Sequence, residues 1–361
     1  MKILIITKTI APDSGWGRYS SGVIEELNRQ GMECLVLTER NGILPTRSVF
    51  NFLRNILVVR GRANDFDIIH AFDGWPYAVY GYFATLGRQK KLFINAVGTY
   101  SIAPLGSFLK GIFLRIAYRK ADAVFAISDY IKGRLLEKMP DLKNITTVYL
   151  GLTPLPVLDE GEIQKYKKRF YILNQNPILL TVGEIKERKG QFDTLQAVLV
   201  LREKFPNILY LIVGSDKDSA YAGKIRRFIS DNSLEENAKI INDARYDKEL
   251  SFFYTISTIF LLNSRNDDEH GHFEGFGLAM LEAASFGKPV VGSLNCGVAE
   301  AMKDGYNGYL ANQADSVDIA QKVEKTLAGN YQSLSENSKS FVRRFTWQKT
   351  VSEYLRHYHT I

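Results

Sequence analysis

Cysteine is scarce: the 361 residues contain two, Cys34 and Cys296. They lie far apart in no metal-ligand spacing, which speaks against a disulfide framework and a structural zinc site and leaves them as free thiols. No apolar run approaches the roughly 18 residues of a membrane-spanning helix, so an integral membrane protein is not expected. The opening segment, MKILIITKTIAP, does not make a signal peptide. Its apolar run is short, Lys8 interrupts it, and no small-residue cleavage site follows. It reads instead as a buried first strand, and the protein as cytoplasmic. There is no short-period repeat and no low-complexity segment. What remains is a globular chain, and its length is that of two domains, each able to bury a core. Hydrophobic residues at 45% and charged residues at 24% agree with that.

Charge is unevenly placed. Residues 1–155 hold 20 Lys and Arg against 12 Asp and Glu, whereas the rest hold 26 against 27. The whole excess of positive charge is therefore in the first half, which suggests an anionic partner there: a membrane surface, nucleic acid or an acidic substrate. Two segments mix apolar with basic residues, Phe50–Arg62 (FNFLRNILVVRGR) and Phe108–Lys120 (FLKGIFLRIAYRK). Such helices can lie on an anionic membrane face. The competing reading puts their apolar sides in the core and leaves the charges as a solvated face. No nucleic-acid motif is present, and nucleic acid is not expected as a partner.

Along the chain, apolar strands alternate with helical stretches. Strand candidates in the first half are Lys2–Thr7, Cys34–Thr38, Asp67–Ala71, Lys91–Ala96, Ala123–Ser128 and Thr146–Tyr149, with helices such as Tyr19–Arg29 and Tyr130–Lys138 between them. The pattern breaks from Gly151 to Phe170, where TPLP and a charged stretch suggest a linker. It then restarts with strands at Pro177–Val182, Leu209–Val213, Lys239–Ile241, Ile259–Leu262 and Pro289–Gly292. The helices there are Gln191–Lys204, Ala220–Ser230, Asp247–Thr255 and Phe276–Phe286. This rhythm predicts two doubly wound α/β domains, residues 1–155 and 171–340, with ligands at the carboxyl ends of the strands. Residues 341–361 are expected to form a helix that packs back on the first domain, with Trp347, Tyr354 and Tyr358 buried.

Three segments carry chemistry. In Phe273–Val291, FEGFGLAMLEAASFGKPVV, glycines Gly275 and Gly277 precede a good helix-forming run. Free N–H groups at a helix N-terminus suit a phosphate. A helix starting near Phe276 would keep Glu274 and Glu282, eight positions apart, roughly 12 Å from each other. That is too far for a close catalytic pair, but it suits two carboxylates bracketing a nucleotide sugar. In Gly183–Gly190, GEIKERKG, Lys189 with Arg188 beside it can reach a phosphate as a point charge. In Asp13–Tyr19, DSGWGRY, Gly15 and Gly17 permit close backbone approach. His270 and His272 flank Gly271, a spacing that matches no known metal-ligand pattern, so no metal is expected. His70, in a strand, is a candidate for the acceptor side or a structural residue.

Together EGFGLAMLEAASFGKPVV, GEIKERKG and LNCGVAEAMKDGYNGYL (Leu294–Leu310) resemble retaining glycosyltransferases of family 4, which have the GT-B fold: two Rossmann-like doubly wound domains facing a cleft. The resemblance runs over nearly the whole chain and is stronger in the second half. It implies that Glu274 binds donor-sugar hydroxyls and that Glu282 holds the ribose. The backbone of Gly275, Phe276, Gly277 and Leu278 would bind the diphosphate, which Gly17 approaches from the first domain. Lys189 and Arg188 would neutralise the leaving diphosphate without a metal. Gly183, Gly214 and the loop Asn242–Tyr246, with Arg245, would face the nucleotide. Two positions depart from the family's habit: Glu184 stands where Arg is frequent, and Val97 where His is frequent, so that the contact of such a His would be absent or replaced by the Thr99 or Tyr100 hydroxyl. The implied activity is hexosyl transfer with retention, without a cofactor, from a nucleotide sugar to a glycan or lipid-linked saccharide in envelope synthesis. UDP-sugar is the first choice of donor and GDP-mannose the second. The site would be on the inner face of a bacterial membrane. The rival readings are a GT-B pseudoenzyme that binds a nucleotide sugar or a partner, and a basic binding module.

Overall fold

Parallel strands covered on both faces read as continuous apolar runs rather than as alternating ones. The first strand, KILIIT, shows this: its last five residues are all buried. The computed structural model describes residues 1–39, 43–45, 48–217, 219–245, 247–267 and 271–359. The chain divides into two compact units. The first comprises Met1–Thr153, Glu269–Gly275 and Phe345–Ile361; the second comprises Pro154–Asp268 and Phe276–Arg344.

The first unit runs β1 (Lys2–Thr7), α1 (Gly15–Arg29), β2 (Glu33–Thr38), α2 (Val49–Arg62), β3 (Ile68–Phe72), α3 (Val79–Thr85), β4 (Lys91–Ala96), α4 (Thr99–Ile102), α5 (Phe108–Lys120), β5 (Ala123–Ala126), α6 (Asp129–Lys138) and β6 (Ile145–Thr147). Its sheet has the order β2-β1-β3-β4-β5-β6, with every pairing parallel. The second unit runs α7 (Glu160–Phe170), β7 (Ile178–Val182), α8 (Gln191–Leu201), β8 (Leu209–Val213), α9 (Ser219–Asp231), β9 (Ala238–Ile241), α10 (Lys248–Ile256), β10 (Ile259–Leu262), α11 (Leu278–Ser285), β11 (Val290–Ser293), β12 (Gly308–Ala311), α12 (Ser316–Ala328) and α13 (Tyr331–Val342). Its order is β12-β11-β10-β7-β8-β9, again parallel throughout. Strand order reverses between β1 and β3 in one sheet and between β7 and β10 in the other. Such switch points leave a crevice at the strands' carboxyl ends.

Several local expectations need correction. Helix α1 starts at Gly15 rather than Tyr19, because the Ser14 hydroxyl accepts from the Gly17 N–H and caps it. The stretch expected as a linker contains α7, held by a capping box between Asp159 and Glu162. Strand β12 was not anticipated. The run 341–359 is two helices, not one: α13 ends at Val342 and α14 spans Trp347–His359 in the first unit.

Trp347 packs where no side chain stands in its way. A Cβ on Gly22 would come within 2.2 Å of its indole, and one on Gly151 within 2.3 Å of its backbone nitrogen. Its indole N–H donates to Thr153 Oγ1 at 2.8 Å. Tyr354 and Tyr358 are buried, as expected. In the second unit one core cluster is mostly aliphatic, built from Leu179, Leu195, Val198, Leu201, Ile212, Leu261 and Val323 among others. Neither cysteine is in a disulfide; Cys34 is half-buried and Cys296 buried. Among the described residues no helix is long and apolar enough to cross a membrane.

Candidate functional site

In the second unit, Gly183, Gly214, Arg188, Lys189 and Gly277 lie at the ends of β7, β8 and β10. Strand β7 ends into Gly183, whose N–H donates to the Val213 carbonyl at 2.9 Å. Gly183 and Gly214 both have φ near +150° (150° and 156°), and a Cβ on Gly214 would stand 1.9 Å from the Gly183 carbonyl oxygen. The ends of β7 and β8 thus touch backbone to backbone, which glycine alone permits. The next turn, Glu187–Lys189, is 3₁₀ and closes at Gly190 in a left-handed conformation. A Cβ on Gly190 would lie 1.8 Å from the Asn263 carbonyl, just beyond β10. The Arg265 N–H donates to the Arg188 carbonyl at 2.9 Å. The turn bearing Arg188 and Lys189 is therefore fastened to the carboxyl end of β10. The Lys189 ammonium comes within 3.7 Å of where a Gly183 Cβ would be, over the glycine backbone.

Helix α11 starts at the same edge. Gly277 is left-handed (φ 104°) and no side chain caps the helix there. A Cβ on Gly277 would be 3.5 Å from Leu262, the last residue of β10. The uncapped N–H groups of α11 and the Arg188–Lys189 turn thus share the end of one strand. Phe276 and Gly277 are buried and Leu278 is half-buried. Glu282 is buried within α11, and the Tyr254 hydroxyl donates to its Oε2 at 2.8 Å. Glu184 forms an ion pair with Lys186 at 2.8 Å. Arg245 is exposed, its N–H donating to the buried Glu249 at 2.8 Å. Asn242 donates to Asp216 at 2.9 Å. Tyr246 and His270 lie outside the described residues.

Sequence reasoning missed a polar layer beneath this edge. Asp193 is buried and accepts from Nε and Nη2 of Arg265, a bidentate pair that fixes the strand end under the turn. Gln191 Oε1, Asn263 Oδ1 and Ser264 Oγ are buried without a protein partner. Asn263 and Ser264 stand just past the end of β10, whereas Gln191 and Asp193 stand in the first turn of α8.

The expected helix start at Phe276 is not what forms. Glu274 and Gly275 lie outside α11 and cluster with the first unit. The Ser128 hydroxyl donates to the Gly275 carbonyl at 2.7 Å, and a Cβ on Gly275 would be 2.6 Å from the Val97 carbonyl. Glu274, half-buried, is thereby tied to the carboxyl ends of β4 and β5. Val97 itself donates its N–H to Ser101 Oγ at 3.0 Å. Gly17 has a reason of its own to be glycine: a Cβ there would meet the Ala11 carbonyl at 1.6 Å, while Gly15 faces open space.

His70 does not line an open surface. It is fully buried, its Nε2 3.0 Å from Asn95 Oδ1 and its Nδ1 2.6 Å from the Tyr358 hydroxyl. Burial pushes its pKa down to about 3. The cause lies in α14, distant in sequence, which covers the strand. Thr99 opens α4 and Tyr100 is exposed. Tyr100 belongs to a cluster that sequence reasoning missed: the Lys8 ammonium lies 5.6 Å and 5.8 Å from the Trp16 and Tyr100 ring centres. Asp73, just past β3, is buried with φ 143°, accepts from Ser101 and the Gly74 N–H, and leaves Oδ2 without a partner. Burial raises its pKa to about 6. Among the described residues no group of three or more His, Cys, Asp or Glu side chains could hold a metal ion.

The family profile described as glycosyl transferases group 1 matches residues 162–356. The chain belongs to that family. An uncharacterised glycosyltransferase of Methanocaldococcus jannaschii is 28% identical over 249 residues, 67% of this chain and 59% of that protein. The N-acetyl-alpha-D-glucosaminyl L-malate synthase of Bacillus anthracis is 25% identical over 302 residues, 82% of this chain and 75% of that protein. The match thus spans about three fifths to three quarters of these relatives. The crystal structure of Anabaena HepE in complex with UDP and glucose superposes with a TM-score of 0.78 at 17% identity, covering 99% of each chain. The two parallel α/β units have the GT-B fold, and the chain is a glycosyltransferase by family. The family match begins within α7 and ends within α14, so it takes in the whole edge that carries Arg188, Lys189 and the start of α11.

Proposed function

We propose that this glycosyltransferase moves a hexose from a nucleotide-sugar donor to an acceptor hydroxyl, with retention of configuration and without a metal. The observation that carries the reading is the shared strand end: the Arg188–Lys189 turn and the uncapped α11 N-terminus both stand at the end of β10. Two cations and a helix N-terminus are what a departing diphosphate needs as its charge develops. The acceptor oxygen bonds to the anomeric carbon on the face the diphosphate leaves. Its proton passes to the departing phosphate oxygen, so no protein nucleophile enters. In this reading Gly275, Phe276, Gly277 and Leu278 offer backbone N–H groups to the diphosphate, which Gly17 also approaches. Glu274 takes donor-sugar hydroxyls and Glu282 the ribose. Gly183, Gly214 and Arg245 line the nucleotide.

The Anabaena protein's complex with UDP and glucose supports a UDP-sugar as the first donor to test, with GDP-mannose next. The acceptor is a glycan or lipid-linked saccharide of the cell envelope, modified at the cytoplasmic face. The Glu184–Lys186 pair also bears on the reading, because it engages the carboxylate that would otherwise repel the diphosphate. A second reading, a nucleotide-sugar-binding pseudoenzyme, draws on Val97, which has no side-chain polar group to offer the donor.

A thermal-shift screen with UDP, GDP, ADP and their sugar conjugates, followed by donor turnover, tests both. The expected result is a shift with one nucleotide family and turnover that falls about 10²–10³-fold in Lys189→Ala at unchanged folding. A shift without turnover under any acceptor favours the pseudoenzyme. No shift at all overturns both.

A further inference from the structure

Two helices of the first unit wear their apolar stripes on the outside. In α2 the residues turned inward are Asn55 and Val59. Val49, Leu53 and Leu57, one face at i, i+4 and i+8, are 79%, 57% and 70% exposed, and Phe50 beside them is 75% exposed. In α5 the same inversion covers the first two turns: Phe108 and Leu109 are 82% and 66% exposed, with Ile112 and Phe113 following at the same spacing. A helix whose apolar stripe served the core would bury these residues. The orientation of α2 is fixed by a polar residue: the Asn55 amide donates to the Pro45 carbonyl at 2.8 Å and to the Tyr80 hydroxyl at 3.2 Å.

The two stripes adjoin. The Trp75 ring stacks on Phe52 at 5.0 Å and 10°, and the Lys110 ammonium of α5 lies 5.8 Å from the same ring. Both helices pack on α3, and Phe83 of α3 meets Phe113 at 5.9 Å. Charge then selects the occupant. Neither helix contains an Asp or Glu, while Arg54, Arg62, Lys110 and Lys120 are exposed on them. A second copy docked on this face would set cation against cation. A nucleic acid would use the cations but would have no use for so many exposed aliphatic and phenyl groups.

We propose that α2 and α5 together form a docking face for an anionic lipid bilayer, the apolar side chains entering the interface and Arg54, Arg62, Lys110 and Lys120 meeting the headgroups. Long cationic side chains reach polar headgroups while their stems lie along apolar surface.

The test is co-sedimentation of the whole protein with vesicles of phosphatidylcholine, alone or with about a third phosphatidylglycerol, at low and high salt. The expected result is binding at least about tenfold tighter to the anionic vesicles, weakened by salt. Phe50→Glu with Leu53→Glu, and separately Phe108→Glu with Leu109→Glu, should each cut binding about tenfold or more; these side chains are exposed, so the fold should not change. Arg54→Ser with Lys110→Ser should erase the preference for anionic lipid while retaining the fold, which keeps the proposal testable if an apolar variant behaves badly. Absence of binding, equal binding to neutral vesicles, or variants that bind like the parent would overturn it. So would a concentration-dependent dimer that the same substitutions abolish. The measurement uses no donor and no turnover, so its failure is separable from failure of the transferase reading.

Discussion

The two units share a six-stranded parallel design but fill it differently. The first buries a polar, aromatic centre. His70 sits between Asn95 and Tyr358, Asn95 donates to Tyr19, and the rings of Phe72, Phe125 and Tyr354 close around the imidazole. The second has a cluster of Leu, Ile and Val in its core, with buried polar groups such as Asp193 and Asn263 near the strand ends, where Gly183, Gly190, Gly214 and Gly277 all have positive φ. A buried polar centre makes stability depend on pH. An aliphatic cluster is itself indifferent to pH, and the close backbone contacts of Gly190 and Gly214 stand at the candidate site.

The chain offers a clean way to separate the two. Its three tryptophans, Trp16, Trp75 and Trp347, all belong to the first unit. Their fluorescence reports that unit alone, while far-ultraviolet circular dichroism reports both.

The largest expected effect is in acid. His70 binds its proton more readily unfolded than folded, so its contribution is complete above pH 6.5 and is lost as pH falls toward about 3, worth up to ~5 kcal/mol. Asp73 has the opposite sign. Its pKa rises to about 6 in the fold, so it favours the folded state as pH falls from 6 to 4, offsetting ~3 kcal/mol. Denaturant unfolding followed by tryptophan fluorescence should therefore be nearly flat between pH 6 and 4 in the parent and fall below that. In Asp73→Asn the decline should begin near pH 6.5. A steady decline in the parent from pH 6.5 would refute the opposition of the two groups.

Next in size is Gly190→Ala, which places a Cβ 1.8 Å from the Asn263 carbonyl at φ 66°. A loss of about 3 kcal/mol or more is expected, confined to the second unit. It should appear in circular dichroism with the tryptophan transition unmoved; a shift of both signals together would mean the units unfold as one. The smallest effect is expected from Leu57→Ser on the exposed stripe of α2, within about 0.5 kcal/mol by tryptophan fluorescence. A larger loss would show that this stripe is covered in solution.

What the sequence made readable follows the same division. All six strands of the first unit and five of the second announced themselves as apolar runs. Strand β12, GYLA, is too short and too near a turn to do so. The glycines around Lys189 and α11 were legible because a left-handed or crowded backbone admits little else. Periodicity gives the spacing of a stripe but not its direction, so α2 and α5 read equally well as core helices or as outward-facing ones. His70 was illegible for another reason: what encloses it arrives nearly three hundred residues later, in α14. The break between α13 and α14 carries neither glycine nor proline, and is marked only by Thr346, whose hydroxyl accepts from the Lys349 N–H.

That late arrival has a consequence for synthesis. The second unit lies between segments of the first, and Phe345–Ile361 completes the first. As the chain leaves the ribosome, the second unit has all of its residues while the amino-terminal sheet still lacks its cover. The groove over Gly22 and Gly151 stays open until Trp347 emerges, and His70 waits for Tyr358. The part of the protein made first is thus the last to close, and over that interval its exposed centre is the natural client of a chaperone.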